Sequence, residues 1–341
     1  HPCRAFFFIM KLRVAINGFG RIGRVFLRSV LNHPKIEVVA INDLSTSKIM
    51  SHLFKYDSIH RIFQGDVEHK KDSIIINGYS INYTSISNPE DLPWKDLKVD
   101  LVIECTGCFK TKALASKHIM AGAKKVIISA PPLDNDVKTI VMGVNDELID
   151  GTEKIISNAS CTTNSAAPMI KLINNNFGIE SAYITTIHSY TTDQMLHDSP
   201  HHDLRRARAG STSIVPTTTG AAKAITKIFP DIANKIGGCG IRVPVPDGSL
   251  TDITCIVKQN TSVDIVNNLF KNSANGRLKN ILSYIEDPIV SVDVLGNKHS
   301  CVFDSKLTSV IGKMIKVVGW YDNEVGYSNR LVDLAVKISN V

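Results

Sequence analysis

The residues of this chain best suited to covalent chemistry on a small anion are a cysteine, a histidine and a handful of arginines. Cys161 stands in the run Ser157-Asn158-Ala159-Ser160-Cys161-Thr162-Thr163-Asn164, a polar, hydroxyl-rich stretch between a short strand pattern and an apolar helical one. A thiol near a helix start is favoured as thiolate by the helix dipole, and a nearby imidazole helps further. His188 closes the apolar strand run 183–187 and is followed by the polar segment 189–194. Strand ends carry site residues in layered α/β folds, so His188 is the candidate base for Cys161. Spacing leaves a second reading open for each: a structural helix-start cysteine and a hydrogen-bonded strand-end histidine. Cys105, Cys239, Cys255 and Cys301 lie in or beside strand runs and read as small buried hydrophobes.

A second constellation belongs to a dinucleotide. Gly18-x-Gly20-x-x-Gly23 follows a strand pattern and opens a helical one. Gly18 permits the tight turn, Gly20 the close approach of a pyrophosphate and Gly23 the packing of helix on sheet. The free N–H groups of the helix start then face the pyrophosphate. Asp43 lies 20 residues beyond Gly23 at the end of the next strand, where a carboxylate binds a ribose diol and repels a 2′-phosphate. NAD is therefore expected over NADP. A thiolate beside a nicotinamide implies aldehyde oxidation: attack on the carbonyl, hydride transfer from the hemithioacetal, and a thioester open to water or phosphate.

The elements that must position these groups follow from periodicity. Strand runs at 12–16, 36–42, 100–105 and 125–129 alternate with helical stretches ending near Asn32 and spanning 112–121. That alternation is the signature of a doubly wound α/β sheet, a Rossmann-type NAD-binding domain. A hairpin over 73–83 turns at Asn77-Gly78. After a strand at 154–157 and a helix from the cysteine to about Ile173, β-rich runs at 179–188, 240–245, 250–258, 289–294 and 315–321 point to an α+β catalytic domain with a mixed, largely antiparallel sheet. A closing helix over 328–338 is expected to pack back on the first domain. The limits are 11–158 for the NAD domain, 159–325 for the catalytic domain and 326–341 for that helix.

Composition narrows the class. With 341 residues, 43% apolar and 21% charged, the chain is ordinary globular protein and long enough for two domains. The +7 charge is dispersed, with Arg205, Arg206 and Arg208 the one dense cluster, and neither an aromatic stacking stripe nor a recognised nucleic-acid module accompanies it. Seven cysteines, an odd number scattered along the chain, fit a reducing, cytoplasmic setting and no metal site. The apolar run 6–9 is too short for a membrane span, and Met10-Lys11-Leu12-Arg13 reads like a natural start.

Taken together in their order, four strings resemble the glyceraldehyde-3-phosphate dehydrogenase family over nearly the whole chain from Lys11. They are the stretch from Ala15 to Arg24, the stretch around Cys161, Thr217-Thr218-Thr219-Gly220-Ala221-Ala222-Lys223-Ala224, and Trp320-Tyr321-Asp322-Asn323-Glu324. The resemblance implies a phosphorylating aldehyde dehydrogenase of glycolysis, oxidising glyceraldehyde 3-phosphate with NAD and inorganic phosphate. Cys161 is then the nucleophile and His188 the base and later acid. Asn17, Gly18, Phe19, Gly20, Arg21 and Ile22 surround the pyrophosphate, and Asp43 meets the adenosine ribose. Thr106, Gly107 and Ser129 line the groove, Asn323 holds the nicotinamide amide, and Tyr327 packs near the ring. Thr191, Asp193 and Arg242 hold the substrate phosphate, with Asp193 orienting the arginine. Ser160, Thr162, Thr219 and Gly220 hold inorganic phosphate, joined by one arginine of the 205–208 cluster, Arg206 being favoured. The segment 198–213 is implied to pack at a subunit interface of a homotetramer.

Three positions depart from the family pattern. Val325 replaces a common tryptophan, Cys105 a common serine, and Ser87 a common basic residue near the adenine. The competing enzyme reading is erythrose-4-phosphate dehydrogenase, which hydrolyses its thioester. The competing reading of another class is a binding role with dispensable catalysis, to which the presence of both Cys161 and His188 runs counter.

Overall fold

The computed structural model describes residues 11–340, so the apolar run 6–9 and the start at Met10 lie outside the described residues. Leu12–Asn17 and Ile36–Asn42 pair in parallel, and Leu101–Glu104 joins the first strand on its other edge. Outward from there lie Lys125–Ile128, Ile155–Ser157 and Lys138–Thr139, all parallel. The central strands are buried along their length, which is why they read as near-continuous apolar runs rather than alternating ones. The hairpin Ser73–Ile76 and Tyr79–Thr84 closes the opposite edge with Val67–Lys70. Asn77 and Gly78 in its turn both have positive φ, as a two-residue hairpin turn requires.

The second sheet runs in the order Val215–Thr217, Ile236–Val243, Ile179–Ser189, Ser249–Val257, Met314–Tyr321, Cys301–Asp304 and Leu282–Ile285. Most of its pairings are antiparallel, with Ile179–Ser189 parallel to Ile236–Val243. The helix Cys161–Phe177 packs its buried Ala166, Met169, Ile170 and Ile173 on this sheet. It runs past the expected end at Ile173 and includes Pro168. Gly178, with φ +69, ends it.

Other boundaries also moved. The strand expected at 240–245 begins at Ile236, because Gly237 and Gly238 hide the strand signal. No strand forms at 289–294. Ser291–Val294 is instead a 3-10 turn with Val290 and Val292 exposed, so an apolar run without a pairing edge became a surface loop. The last helix spans Val325–Ser339 and starts earlier than expected. It buries Tyr327, Leu331, Leu334, Ala335 and Ile338 in the same core as Val14, Ile16 and Phe26 of the first sheet. Truncating the fully buried Leu331 to alanine there is expected to cost about 2–5 kcal/mol. No helix among the described residues is long and apolar enough to cross a membrane.

Candidate active site

Cys161 is thrown to its place by a strained turn. Ala159, fully buried, sits at φ +56, a region that non-glycine residues rarely enter. Its carbonyl accepts the Tyr327 hydroxyl at 3.2 Å. Ser160 then caps the helix, its Oγ accepting from the Thr163 amide at 3.1 Å, and Cys161 is the first helical residue. The second sheet brings in the base: Cys161 Sγ lies 3.4 Å from His188 Nε2.

The electrostatics of this pair are set by burial. Desolvation pushes the Cys161 thiol up to about 11, against the pull of Arg242 and hydrogen bonds at Thr162. Desolvation, with Arg242 adding to it, pushes the His188 imidazole down to about 3. Each shift describes one charge arising alone. Proton transfer from Sγ to Nε2 creates both charges at once, where they stabilise each other. The other ring nitrogen faces a choice, lying 2.8 Å from the Ser189 carbonyl and 2.6 Å from Arg242 Nη1. A protonated Nδ1 donates to Ser189; an unprotonated one accepts from Arg242. The first leaves the Nε2 lone pair free for the thiol proton.

A cavity of about 160 Å³ opens beside the thiol and is lined by Ser160, Thr162, Arg206, Thr219, Gly220 and Arg242. Thr219 caps the helix Gly220–Ile228, whose first turn carries no acidic residue. Two guanidinium groups, hydroxyls and a helix start make an anion receptor. Of the clustered arginines Arg206 faces the cavity, whereas Arg208 pairs with Asp198 at the surface. One expected contact is corrected here. Asp193 does not orient Arg242: its Oδ2 takes Arg206 Nη1 at 2.5 Å, while Arg242 bonds His188 and the Ser189 carbonyl. The arginine nearer to Asp193 along the chain won the contact. Thr191 lines the neighbouring cleft of about 280 Å³ with Cys161, His188, Ser129, Ile22, Asn323 and Tyr327.

The dinucleotide side is a cleft of about 460 Å³ lined by Asn17, Gly18, Gly20, Asp43, Ser87, Cys105 and Thr106. Its residues fit the expected cofactor. A Cβ on Gly18 would stand 2.7 Å from the Thr106 nitrogen, whereas the space above Gly20 is open. The helix Arg21–Val30 has no side-chain cap, so its first N–H groups are free for a pyrophosphate. Asp43 accepts from the Phe19 and Ser45 amides. The Phe19 ring is buried and stacked on Phe54. Gly107, φ +73, continues the loop from Thr106. Burial pushes the Cys105 thiol up to about 12, which leaves it unreactive as a thiolate.

Sequence reasoning missed the groups beneath this cleft. Glu104 Oε2 accepts from Asn17 Nδ2 at 2.6 Å and from His118 Nε2 at 2.9 Å, and Oε1 accepts from the Thr106 amide at 2.8 Å and from the Thr106 hydroxyl. The Trp94 indole, which can only donate, bonds His118 Nδ1 at 3.0 Å and so fixes the tautomer whose Nε2–H meets Glu104. The faint signal was a glutamate ending an apolar strand.

The Arg21 guanidinium bridges Glu324, at 2.7 and 2.5 Å, to Asp57, at 2.8 and 3.2 Å. Burial pushes Glu324 up, but Arg21 and His60 outweigh it and hold the carboxyl below its usual range. Asp247, fully buried nearby, is pushed up to about 9 by burial and by Asp322 and Glu324. His60, Asp247 and Glu324 stand close together, yet Arg21 already neutralises this group from within.

A nucleotide-binding sheet joined to a sheet that presents a histidine-paired thiol defines a dinucleotide-dependent thiol dehydrogenase. Comparison with known proteins gives the family. Residues 12–112 match the model of the glyceraldehyde 3-phosphate dehydrogenase NAD binding domain, and residues 160–323 that of the C-terminal domain. The chain is 52% identical over 334 residues to glyceraldehyde-3-phosphate dehydrogenase 2 of Streptomyces avermitilis, covering 97% of this chain and 99% of that one. It is 49% identical over 326 residues to the enzyme of Clostridium acetobutylicum, covering 94% and 96%. To that of Mycobacterium tuberculosis it is 52% identical over 336 residues, covering 96% and 99%. The chain belongs to the glyceraldehyde-3-phosphate dehydrogenase family, and NAD is its cofactor.

Proposed function

We propose that the protein oxidises D-glyceraldehyde 3-phosphate with NAD and inorganic phosphate to 1,3-bisphosphoglycerate. The observation that carries this is the Cys161–His188 pair at 3.4 Å, set between an uncapped dinucleotide helix and a two-arginine anion cavity. Cys161 Sγ attacks the aldehyde carbon while His188 Nε2 holds the thiol proton. His188 returns that proton to the former carbonyl oxygen, giving the hemithioacetal hydroxyl, and takes it back as that carbon is oxidised. Bound NAD supplies the hydride acceptor. The product on Cys161 is a thioester, and an oxygen of inorganic phosphate attacks its carbonyl and releases the thiolate.

Arg242 and Arg206 share one cavity, which supports binding of both phosphates within reach of the thiol. Ser160, Thr162, Thr219 and Gly220 serve the inorganic phosphate, and Thr191 with Arg242 the substrate phosphate. Asp193 acts through Arg206. In the cofactor cleft, Asn17, Gly18, Phe19, Gly20, Arg21 and Ile22 surround the pyrophosphate, with the helix-start amides of Arg21 and Ile22 as its donors, and Asp43 meets the ribose. Thr106, Gly107 and Ser129 continue the groove, with Asn323 and Tyr327 at the nicotinamide. The functional units are 11–158, 159–325 and 326–341, and the segment 198–213, without regular structure, fits a subunit contact in a cytoplasmic homotetramer.

The test follows NADH formation with and without inorganic phosphate, beside a Cys161→Ser variant. Phosphate-dependent turnover lost in the variant is the expected result. Turnover indifferent to phosphate and faster with erythrose 4-phosphate would transfer the assignment to the hydrolytic relative.

A further inference from the structure

Asn323 borders the same cleft as Cys161 and His188, and its side-chain oxygen is already fully engaged. Ser189 Oγ donates to Asn323 Oδ1 at 2.9 Å and Ser249 Oγ donates to it at 2.7 Å. Both serines are completely buried. The direction of these bonds follows from the backbone. The Ser189 amide donates to Ser249 Oγ at 3.1 Å, occupying a lone pair there and leaving the Ser249 proton to be passed on. An N–H can only donate, so the chain of polarity runs from Ser189 N–H through Ser249 O–H to Asn323 Oδ1. Turning the Asn323 amide over would leave the hydroxyl protons of both serines without this acceptor in a buried site.

The backbone of Asn323 is held as firmly. Asp322 on one side accepts from the Gly296, Glu324 and Val325 amides, and Glu324 on the other is clamped by Arg21 and His60. What Asn323 has left for a ligand is the Nδ2 amino group, a donor with no acceptor character. Among the described residues Nδ2 makes no hydrogen bond.

We propose that Ser189 and Ser249 are positioning residues that lock the Asn323 amide with its nitrogen toward the nicotinamide, making the carbonyl oxygen of the ring carboxamide the recognised group. This rests on the reading that Asn323 meets the nicotinamide. Ser189 thereby serves both halves of the reaction: its carbonyl faces His188 Nδ1 and its hydroxyl orients the cofactor contact. A ring substituent that accepts hydrogen bonds weakly is disfavoured by this arrangement.

The probe is thionicotinamide adenine dinucleotide, whose sulfur replaces that oxygen, used with full-length wild type, Asn323→Ala, Ser249→Ala and the Ser189→Ala/Ser249→Ala double variant. The double variant is expected to raise the KM for NAD about tenfold and to lower the ratio of thio-analogue KM to NAD KM about fivefold, the single variant about half as much on a logarithmic scale. Cofactor-free alkylation of Cys161 stays within about twofold of wild type, which separates loss of the lock from general damage. If Asn323→Ala lowers the ratio and the serine variants do not, the lock is refuted and the nicotinamide contact stands. If Asn323→Ala leaves the ratio unchanged, the contact itself is wrong and the proposal goes with it. Should the double variant not fold, Ser249→Ala alone decides by the same ratio.

Discussion

The two ends of the cleft handle buried polarity in opposite ways. Beneath the dinucleotide, Glu104 is surrounded by donors from Asn17, His118 and Thr106, and Asn17 Oδ1 accepts from Asn42 at 2.8 Å, so this network needs nothing from a ligand. Around the thiol, Arg242 and the Ser189 carbonyl compete for His188 Nδ1, and burial resists charge on either member of the reactive pair. The cofactor half is a finished scaffold. In the reactive half one histidine nitrogen faces both a donor and an acceptor beside a buried thiol, as suits a site that must move protons.

The sharpest way to break this contrast is to remove the nucleophile. Cys161→Ser is expected to reduce turnover by a factor on the order of a thousand or more while leaving the NAD dissociation constant within about twofold. Stopped-flow reduction and fluorescence titration of the same sample read both. A large change in NAD affinity would show that the two halves are not separable.

His188→Asn is expected to lower kcat by roughly a hundredfold to ten-thousandfold. The pH dependence of Cys161 alkylation adds direction. The thiolate is the charged form, so removing the partner that becomes imidazolium takes away its stabiliser and its pKa rises toward about 11, the value burial imposes against Arg242 and the Thr162 hydrogen bonds. Alkylation should therefore reach half its plateau at higher pH in the variant. An unchanged midpoint would mean that the helix start and Arg242, rather than the histidine, activate the thiol.

On the finished side, Glu104→Gln places an amide nitrogen against donors and leaves a buried group unpaired. It should cost about 1–3 kcal/mol of stability and raise the KM for NAD, while Cys161 alkylation without cofactor stays unchanged. Denaturant unfolding and steady-state kinetics test the two arms. Equal losses in both KM and thiol reactivity would erase the distinction between the halves.

The smallest effect is expected at the joint between them. Asp247 has a folded-state pKa raised to about 9 by burial and by neighbouring carboxylates, above its unfolded value. The folded protein therefore holds a proton that the unfolded chain releases, and the associated stability is lost as pH rises from about 4 toward 9. Asp247→Asn removes that dependence, so its Tm should exceed that of the parent by a few degrees, roughly 2–4 °C, with the gap widening from pH 6 to pH 9. A gap that narrows with pH would reverse the sign of the argument.

Much of this was legible beforehand because the signals are local. Gly18, Gly20 and Gly23 report their own backbone geometry, and Ser160 with Cys161 reads as a cap and first turn. The boundary errors came from residues whose local preference misleads: Gly237 and Gly238 inside a strand, Pro168 inside a helix, and valines at 290 and 292 that found no edge to pair with. Glu104, His118 and Trp94 were missed because each looks ordinary until a partner at least 14 residues away is brought to it.

By itself the sequence determined the nature of the chemistry: a glycine-rich turn for a dinucleotide, a capped cysteine, a strand-end histidine and arginines for an anion. Short-range geometry sets these, so they are written in neighbouring residues. Only the tertiary structure decided which arginine faces the cavity, that Asp193 holds Arg206 rather than Arg242, that Arg21 spans to Glu324, and which way the Asn323 amide points. Those outcomes depend on contacts between elements up to 303 residues apart, and a charge or hydrogen bond chooses its partner only after packing has put the candidates within reach.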